Sequence, residues 1–116
     1  MYKLLGLYAH PDDEILGPGA TLAKYAHQGV HIEWIVATRG EAGEIAPGVN
    51  ATRQTLPQVR QTEMECAAHT LGIQKLHWLD YRDSGMAGTA ENKHPNAFMN
   101  APAEDVMPTL VAIIRD

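Results

Sequence analysis

The residues best able to do chemistry stand together near the start of the chain. An apolar run from Leu4 to Tyr8 ends just before a histidine and a proline, and three consecutive carboxylates follow: His10, Pro11, Asp12, Asp13 and Glu14. Three adjacent carboxylates repel one another, so a cation is expected beside them. Because His10 and Asp13 flank a predicted strand-to-helix turn, both side chains can reach one divalent ion. Asp12 then remains free to move protons.

The same acids have an interpretation that needs no ligand. Carboxylates in the first turn of a helix interact favourably with the positive end of the helix dipole. Glu14 in particular is expected to accept backbone hydrogen bonds there. The His-Pro pair at the end of the preceding strand favours a ligand site instead, because open α/β sheets bind ligands at the carboxyl ends of their strands.

Strands and helices alternate along the chain, and this alternation predicts how the acids are positioned. Apolar residues of both parities predict a fully buried first strand over residues 2–9, and two more strands are predicted at 30–38 and 75–79. Helices are predicted at 20–27 and 56–72. Strands separated by helices form parallel sheets with right-handed crossovers. We therefore expect one Rossmann-like α/β domain over residues 1–116, with three αβα layers and a mostly parallel sheet.

The remaining segments predict a last helix and two long loops. Asp105 is expected to cap that helix, with Pro108 in its first turn and four apolar residues on one face: Val106, Leu110, Ile113 and Ile114. The loops at residues 39–54 and 80–101 are rich in glycine and polar residues, and both follow strand ends. They should therefore converge with His10 on one edge of the sheet and form a pocket.

Composition narrows the class of protein. The 116 residues are 45% apolar and 20% charged, with a net charge of −5. An acidic chain lacks the basic surface that nucleic-acid binding needs. No apolar run approaches the roughly 20 residues of a membrane span, so we expect neither nucleic acid nor membrane as a partner. The single cysteine, Cys66, allows no internal disulfide and predicts a cytoplasmic location; between helical neighbours it is expected to be a small buried side chain.

Four segments together resemble one known family. Residues 7–14 read L-Y-A-H-P-D-D-E and resemble the A-H-P-D-D-E signature of the LmbE-like, or PIG-L, zinc-dependent N-acetylglucosamine deacetylases. Residues 38–44, T-R-G-E-A-G-E, look like the family's T-x-G-E-x-G segment. Residues 60–72 look like its R-x-x-E-x-x-x-A-A-x-x-L-G helix. Residues 81–89, Y-R-D-S-G-M-A-G-T, with H-P-N-A-F at 94–98, are similar to the mycothiol-pathway branch.

The resemblance implies a mechanism and a substrate. His10 and Asp13 would bind Zn²⁺ or another divalent transition metal, and Asp12 would be the general base that removes an N-acetyl group from a GlcNAc-inositol-like sugar conjugate. The family's second histidine motif, which would supply the third ligand, should follow a fourth strand beyond residue 116. We therefore expect this sequence to be the N-terminal part of a larger domain, truncated at its C-terminus. An apolar last helix and an exposed first strand make homo-oligomerisation possible.

Further residues are candidates for substrate binding, each with a structural alternative. Arg60 could reach into the pocket and bind sugar hydroxyls or a carboxylate, or pair with Glu63 along the helix. Asp83 could accept two sugar hydroxyls, or form an Asx turn before Gly85. Met86 and His94 are expected to bind substrate at the pocket edge, and His94 could alternatively close the metal site. Glu14 is expected to support the ligands from behind, and Glu41 either to do the same or to face solvent. Gly40 and Gly43 are expected to adopt unusual backbone angles.

Two competing functions remain open at this point. The chain could be a non-catalytic fragment or degenerate binding module of the same fold, since the third metal ligand is missing from it. A nucleotide-binding Rossmann domain is the weaker alternative, because no G-x-G-x-x-G follows the first strand.

Overall fold

Three parallel strands form the sheet that positions the site. The computed structural model describes residues 2–116, in which β1 (Lys3–Tyr8), β2 (His31–Val36) and β3 (Lys75–Trp78) lie in the order β1-β2-β3. Both strand pairs are parallel. This arrangement confirms the predicted α/β class with a parallel sheet, and it brings all three strand ends to one edge.

Helices connect the strands and follow the last of them. The four α-helices are α1 (Asp13–Leu16), α2 (Gly19–His27), α3 (Leu56–Leu71) and α4 (Ala103–Arg115). Gly72 ends α3 in the left-handed region, with φ 77°, as is typical of a helix C-terminus. The second long loop is more ordered than predicted, because it contains two short 3₁₀ helices, Ala90–Lys93 and Phe98–Asn100.

The two faces of the sheet are covered differently. Ile32, Trp34 and Val36 of β2 are fully buried on one face, where they pack with residues of α2 and α3: Leu22, Met64 and Ala68. On the other face, His31 and Glu33 lie beside the C-terminal turn of α4. The three layers are the sheet and the helices on its two faces, and the larger core lies on the α2–α3 side.

The prediction of a fully buried first strand is wrong. β1 is an edge strand, and Leu5 and Leu7 are 38% and 51% exposed. Its apolar residues occupy both faces, but within residues 2–116 only β2 pairs with it. The apolar pattern indicates that the strand is suited to burial, but it does not indicate how many strands pair with it.

Three further expectations need correction. α4 begins directly after the extended Pro102, so Asp105 lies inside its first turn and Pro108 lies in the helix interior. Ile114 is 67% exposed, so it does not share the half-buried face of Val106, Leu110 and Ile113. The prediction that Cys66 is buried is wrong: it is exposed on α3, because Met64 and Ala68, two positions to either side, face the core. Among the helices within residues 2–116, none is both long enough and apolar enough to cross a membrane.

Candidate active site

The ends of β1 and β2 are tied together immediately before the acidic motif. The backbone N–H of Thr38 donates to the carbonyl of Ala9 at 3.0 Å, and the Thr38 hydroxyl donates to the same oxygen at 2.9 Å. Thr38 is only 1% exposed. These bonds fix where the chain leaves the sheet, and therefore where His10 begins the turn into α1.

His10 and Asp13 are placed as two ligands of one ion would be. The Nδ1 atom of His10 lies 3.5 Å from Oδ2 of Asp13, and the backbone N–H of His10 donates to that oxygen at 3.1 Å. Two donor atoms each bound to a tetrahedral zinc at about 2.0–2.1 Å are about 3.3 Å apart. The two side chains therefore fit a zinc ion. Across the part of the chain that is described, no group of three such side chains could hold a metal.

Asp12 has an unusual backbone and an exposed side chain. Its φ angle is 88°, in a region that L-residues other than glycine, asparagine and aspartate rarely adopt. Its carbonyl accepts the N–H groups of Ile15 and Leu16 at the start of α1. The side chain is 59% exposed and faces the pocket. The carboxylate of Asp12 is thus next to His10 and Asp13 and is open to the pocket.

Arg60 contacts Asp12 across the pocket. Its Nη2 atom donates to Oδ2 of Asp12 at 3.1 Å and to the carbonyl of Pro11 at 2.6 Å, and Nη1 donates to the carbonyl of Gly40 at 3.2 Å. The structure therefore favours a position of Arg60 in the pocket over an intrahelical ion pair with Glu63. The guanidinium holds the strand-to-helix turn and the first loop together.

The glycines of the first loop make room for that guanidinium. A Cβ on Gly40 would lie 1.8 Å from Nη1 of Arg60, and one on Gly43 would lie 2.9 Å from the same atom. Gly40 also has a φ of 68°, as expected, but Gly43 has no positive φ. Glycine at position 43 therefore lets the Arg60 guanidinium approach the loop closely, and the expectation of an unusual backbone angle there is wrong.

Asp83 is buried against His10. It is 6% exposed, and its Oδ1 atom lies 3.2 Å from Nε2 of His10. Oδ1 also accepts the N–H of Gly85 at 3.0 Å, which forms the Asx turn considered as an alternative. Glu41 supports this arrangement, because its Oε2 atom accepts the backbone N–H of Asp83 at 2.9 Å.

Glu14 is buried more deeply than expected. It is 1% exposed, and within residues 2–116 its Oε2 atom has no hydrogen-bond partner. Burial raises the pKa of the Glu14 carboxyl, and the charges of Asp12 and Asp13 raise it further. Within residues 2–116, backbone hydrogen bonds of the first turn therefore do not satisfy Oε2 of Glu14.

These side chains surround a pocket of about 330 Å³. It is lined by residues of the acidic motif, both long loops and α3: His10, Asp12, Ala42, Gly43, Glu44, Arg60, Asp83, Gly85 and Met86. Met86 is at the rim and is 79% exposed. His94 is outside this lining; it is exposed, and its Nδ1 atom accepts the backbone N–H of Asn96 at 3.0 Å.

Sequence reasoning missed two contacts of the site. The His10–Asp83 contact joins residues 73 positions apart, and nothing local to either residue signals it. The fit of Arg60 against Gly40 could have been inferred, because two glycines three residues apart in a loop often mark a close approach of another group.

A family model agrees with the geometry. The model described as "PIG-L: GlcNAc-PI de-N-acetylase" matches residues 5–116. The chain belongs to the PIG-L family. Among curated PIG-L relatives, the 1D-myo-inositol 2-acetamido-2-deoxy-alpha-D-glucopyranoside deacetylase of Thermobifida fusca is 41% identical over 98% of this chain. The chain spans 43% of the length of that relative.

Solved structures show the same fold with more than one activity. N,N'-diacetylchitobiose deacetylase from Pyrococcus horikoshii matches with a TM-score of 0.63 and 34% identity, over 71% of this chain and 30% of that one. GalB, the 4-carboxy-2-hydroxymuconate hydratase from Pseudomonas putida, matches with a TM-score of 0.59 and 28% identity, over 69% of this chain and 34% of that one.

Proposed function

We propose that the protein is a metal-dependent hydrolase that removes the N-acetyl group from an N-acetylglucosaminyl conjugate of the GlcNAc-inositol type. The observation that carries the proposal is the convergence of His10, Asp12, Arg60 and Asp83 around one pocket, with the carboxylate of Asp13 3.5 Å from Nδ1 of His10. The names of the relatives support the substrate class, since the Thermobifida fusca protein is a deacetylase of a GlcNAc-inositol compound.

His10 and Asp13 would hold Zn²⁺ or another divalent transition metal, and they provide two of the three protein ligands that a catalytic zinc site normally has. When bound, such an ion lowers the pKa of water towards neutrality and polarises an acyl oxygen. The backbone N–H of His10 donates to Oδ2 of Asp13 at 3.1 Å, and this bond orients the carboxylate.

Asp12 is the proposed general base. Its carboxylate is beside the metal pair, faces the pocket and takes no part in holding His10 or Asp13. It can therefore accept the proton of the attacking water at an Oδ atom and then deliver that proton to the departing amine. Arg60 positions this carboxylate through the 3.1 Å contact to Oδ2.

The sugar would occupy the remaining walls of the pocket. Asp83 is proposed to accept hydrogen bonds from sugar hydroxyls through the lone pairs that its other partners leave free. Arg60 is proposed to donate its remaining N–H groups to the same hydroxyls. Met86 would cover an apolar face of the ring from the rim. His94 stays a proposed substrate contact, since a ligand larger than the pocket could extend to it.

The test is acetate release by the protein at its full natural length. We expect zinc-dependent release from GlcNAc-inositol, faster than from free N-acetylglucosamine, and loss of activity in Asp12→Asn. Lys75→Gln is a suitable control, because Lys75 is at the N-terminal end of β3, away from the pocket, and its Nζ atom contacts Asp116. Full zinc occupancy without acetate release from either substrate would contradict the proposal.

Two other functions are distinguishable from this one by which compounds the protein turns over. The likeness to a hydratase at 28% identity favours addition of water to a carbon–carbon double bond as the second candidate, and it would appear as turnover of an unsaturated acid without acetate. A non-catalytic binding module would bind the sugar conjugate and turn over neither compound.

A further inference from the structure

Asp83 is the only buried aspartate among residues 2–116, and its surroundings hold it in one orientation. Oδ1 accepts the N–H of Gly85 at 3.0 Å, and Oδ2 accepts the N–H of Ala42 at 3.3 Å. Its own N–H donates to Glu41 at 2.9 Å. Bonds from both long loops therefore fix this carboxylate, in contrast to the exposed Asp12.

The contact between Asp83 and His10 determines where the imidazole carries its proton. An ionised carboxylate has only acceptors, so the 3.2 Å contact requires a proton on Nε2 of His10. In the neutral ring the lone pair is then on Nδ1. Nδ1 is the atom that lies 3.5 Å from Asp13. The free lone pair and the Asp13 carboxylate thus lie side by side.

We infer that Asp83 is a positioning residue for His10: it selects the tautomer protonated at Nε2 and points Nδ1 to the place where Asp13 provides its oxygen. Metal-binding histidines commonly donate their second N–H to a carboxylate, which fixes ring orientation and raises ligand basicity. This role deepens the proposed function, because it rests on His10 as a metal ligand, and it exists alongside any contact of Asp83 with the sugar.

A sugar-binding Asp83 and a positioning Asp83 differ in the absence of substrate. If Asp83 acts only on hydroxyls, its removal leaves the imidazole and the metal unaffected. If it positions His10, its removal frees the ring to rotate and lets the proton move between the two nitrogens. Loss of such a partner typically weakens metal binding by about 10–100-fold.

The experiment uses the full-length protein labelled with ¹⁵N-histidine. Long-range ¹H–¹⁵N correlation of the metal-free form, at a pH where the ring is neutral, reports which nitrogen of His10 is protonated. Zinc affinity is measured separately by competition with a chromophoric chelator. Asp83→Ala removes the acceptor, and Asp83→Asn keeps the shape and one acceptor oxygen should the alanine variant fail to fold. Asp80→Asn is the matched control, because Asp80 is in the same loop but contacts Arg39.

We expect the parent and Asp80→Asn to show one His10 tautomer, protonated at Nε2, and the same zinc affinity. Asp83→Ala should show mixed tautomers and about 10–100-fold weaker zinc binding, with a smaller loss in Asp83→Asn. An unchanged tautomer and zinc affinity within twofold of the parent in both Asp83 variants would overturn the inference. A protein that shows the expected tautomer and affinity changes yet releases no acetate would overturn the proposed function alone.

Discussion

Gly40→Ala tests how closely the first loop and Arg60 are fitted together. The substitution has two separable effects. The φ of 68° places an alanine in the left-handed region, which costs about 1–2 kcal/mol. The new Cβ would also lie 1.8 Å from Nη1 of Arg60, so the guanidinium must move.

Movement of the guanidinium breaks bonds that a half-buried charge makes. Arg60 donates to the carbonyls of Pro11 and Gly40 and to Asp12, and a hydrogen bond to a charged group contributes about 1.5–3 kcal/mol. Water replaces part of this loss, because the side chain is 17% exposed. If the equivalent of one such bond is lost, Gly40→Ala lowers the free energy of unfolding by about 2.5–5 kcal/mol in total.

The assay is the free energy of unfolding from urea titration. Gly29→Ala is the control, because Gly29 has a φ of 81° with nothing within 4 Å of the added Cβ, so it should lose only the backbone contribution of about 1–2 kcal/mol. In an Arg60→Ala background, Gly40→Ala should fall to that same value, since the clash is gone. Equal losses for Gly40→Ala in both backgrounds would refute the argument.

Three further changes test other parts of the site and sheet. Asp12→Asn should retain zinc and lower turnover by about 10²–10⁴-fold, measured as acetate release beside metal content; near-parental turnover would assign the base elsewhere. His10→Ala should lose metal and activity together on dialysis, and stoichiometric zinc in that variant would remove His10 from the ligand set. Hydrogen bonds from His77 and His31 lower the pKa of Glu33 from 4.5 to about 2. A depressed folded pKa stabilises the protein above pH 4.5, and this stabilisation disappears as the pH falls through 2. The difference in unfolding free energy between the parent and Glu33→Gln should therefore shrink over that range, and a constant difference would contradict the assignment.

Much of the architecture was accessible from the sequence because local patterns encode it. Alternation of apolar strands with helical segments predicted the parallel sheet, and the helix predicted at 56–72 matches α3 to within one residue. Pro108 was predicted to lie in the first turn of α4, where a proline is tolerated, but it lies in the helix interior. The helix begins earlier than predicted, at Ala103, directly after the extended Pro102.

The candidate site was predictable as a set of residues and only partly as a geometry. Strand ends placed His10, Asp12 and Asp13 together, because their spacing is local. The contacts of Asp83 with His10 and of Arg60 with Asp12 span 73 and 48 positions, and they depend on how the second long loop and α3 approach the turn after β1. The burial of Glu14 was also inaccessible, since it follows from packing around the turn and not from any pattern in the motif.

Because Asp12 has a left-handed backbone, the residue that would be most stable at this position differs from the one that the proposed chemistry needs. A residue held at φ 88° stores strain that glycine would not have. Substitution by glycine would relax the turn and remove the carboxylate in the same step. In a library of variants selected only for resistance to heat, position 12 should therefore drift towards glycine, and selection for acetate release should hold it as aspartate.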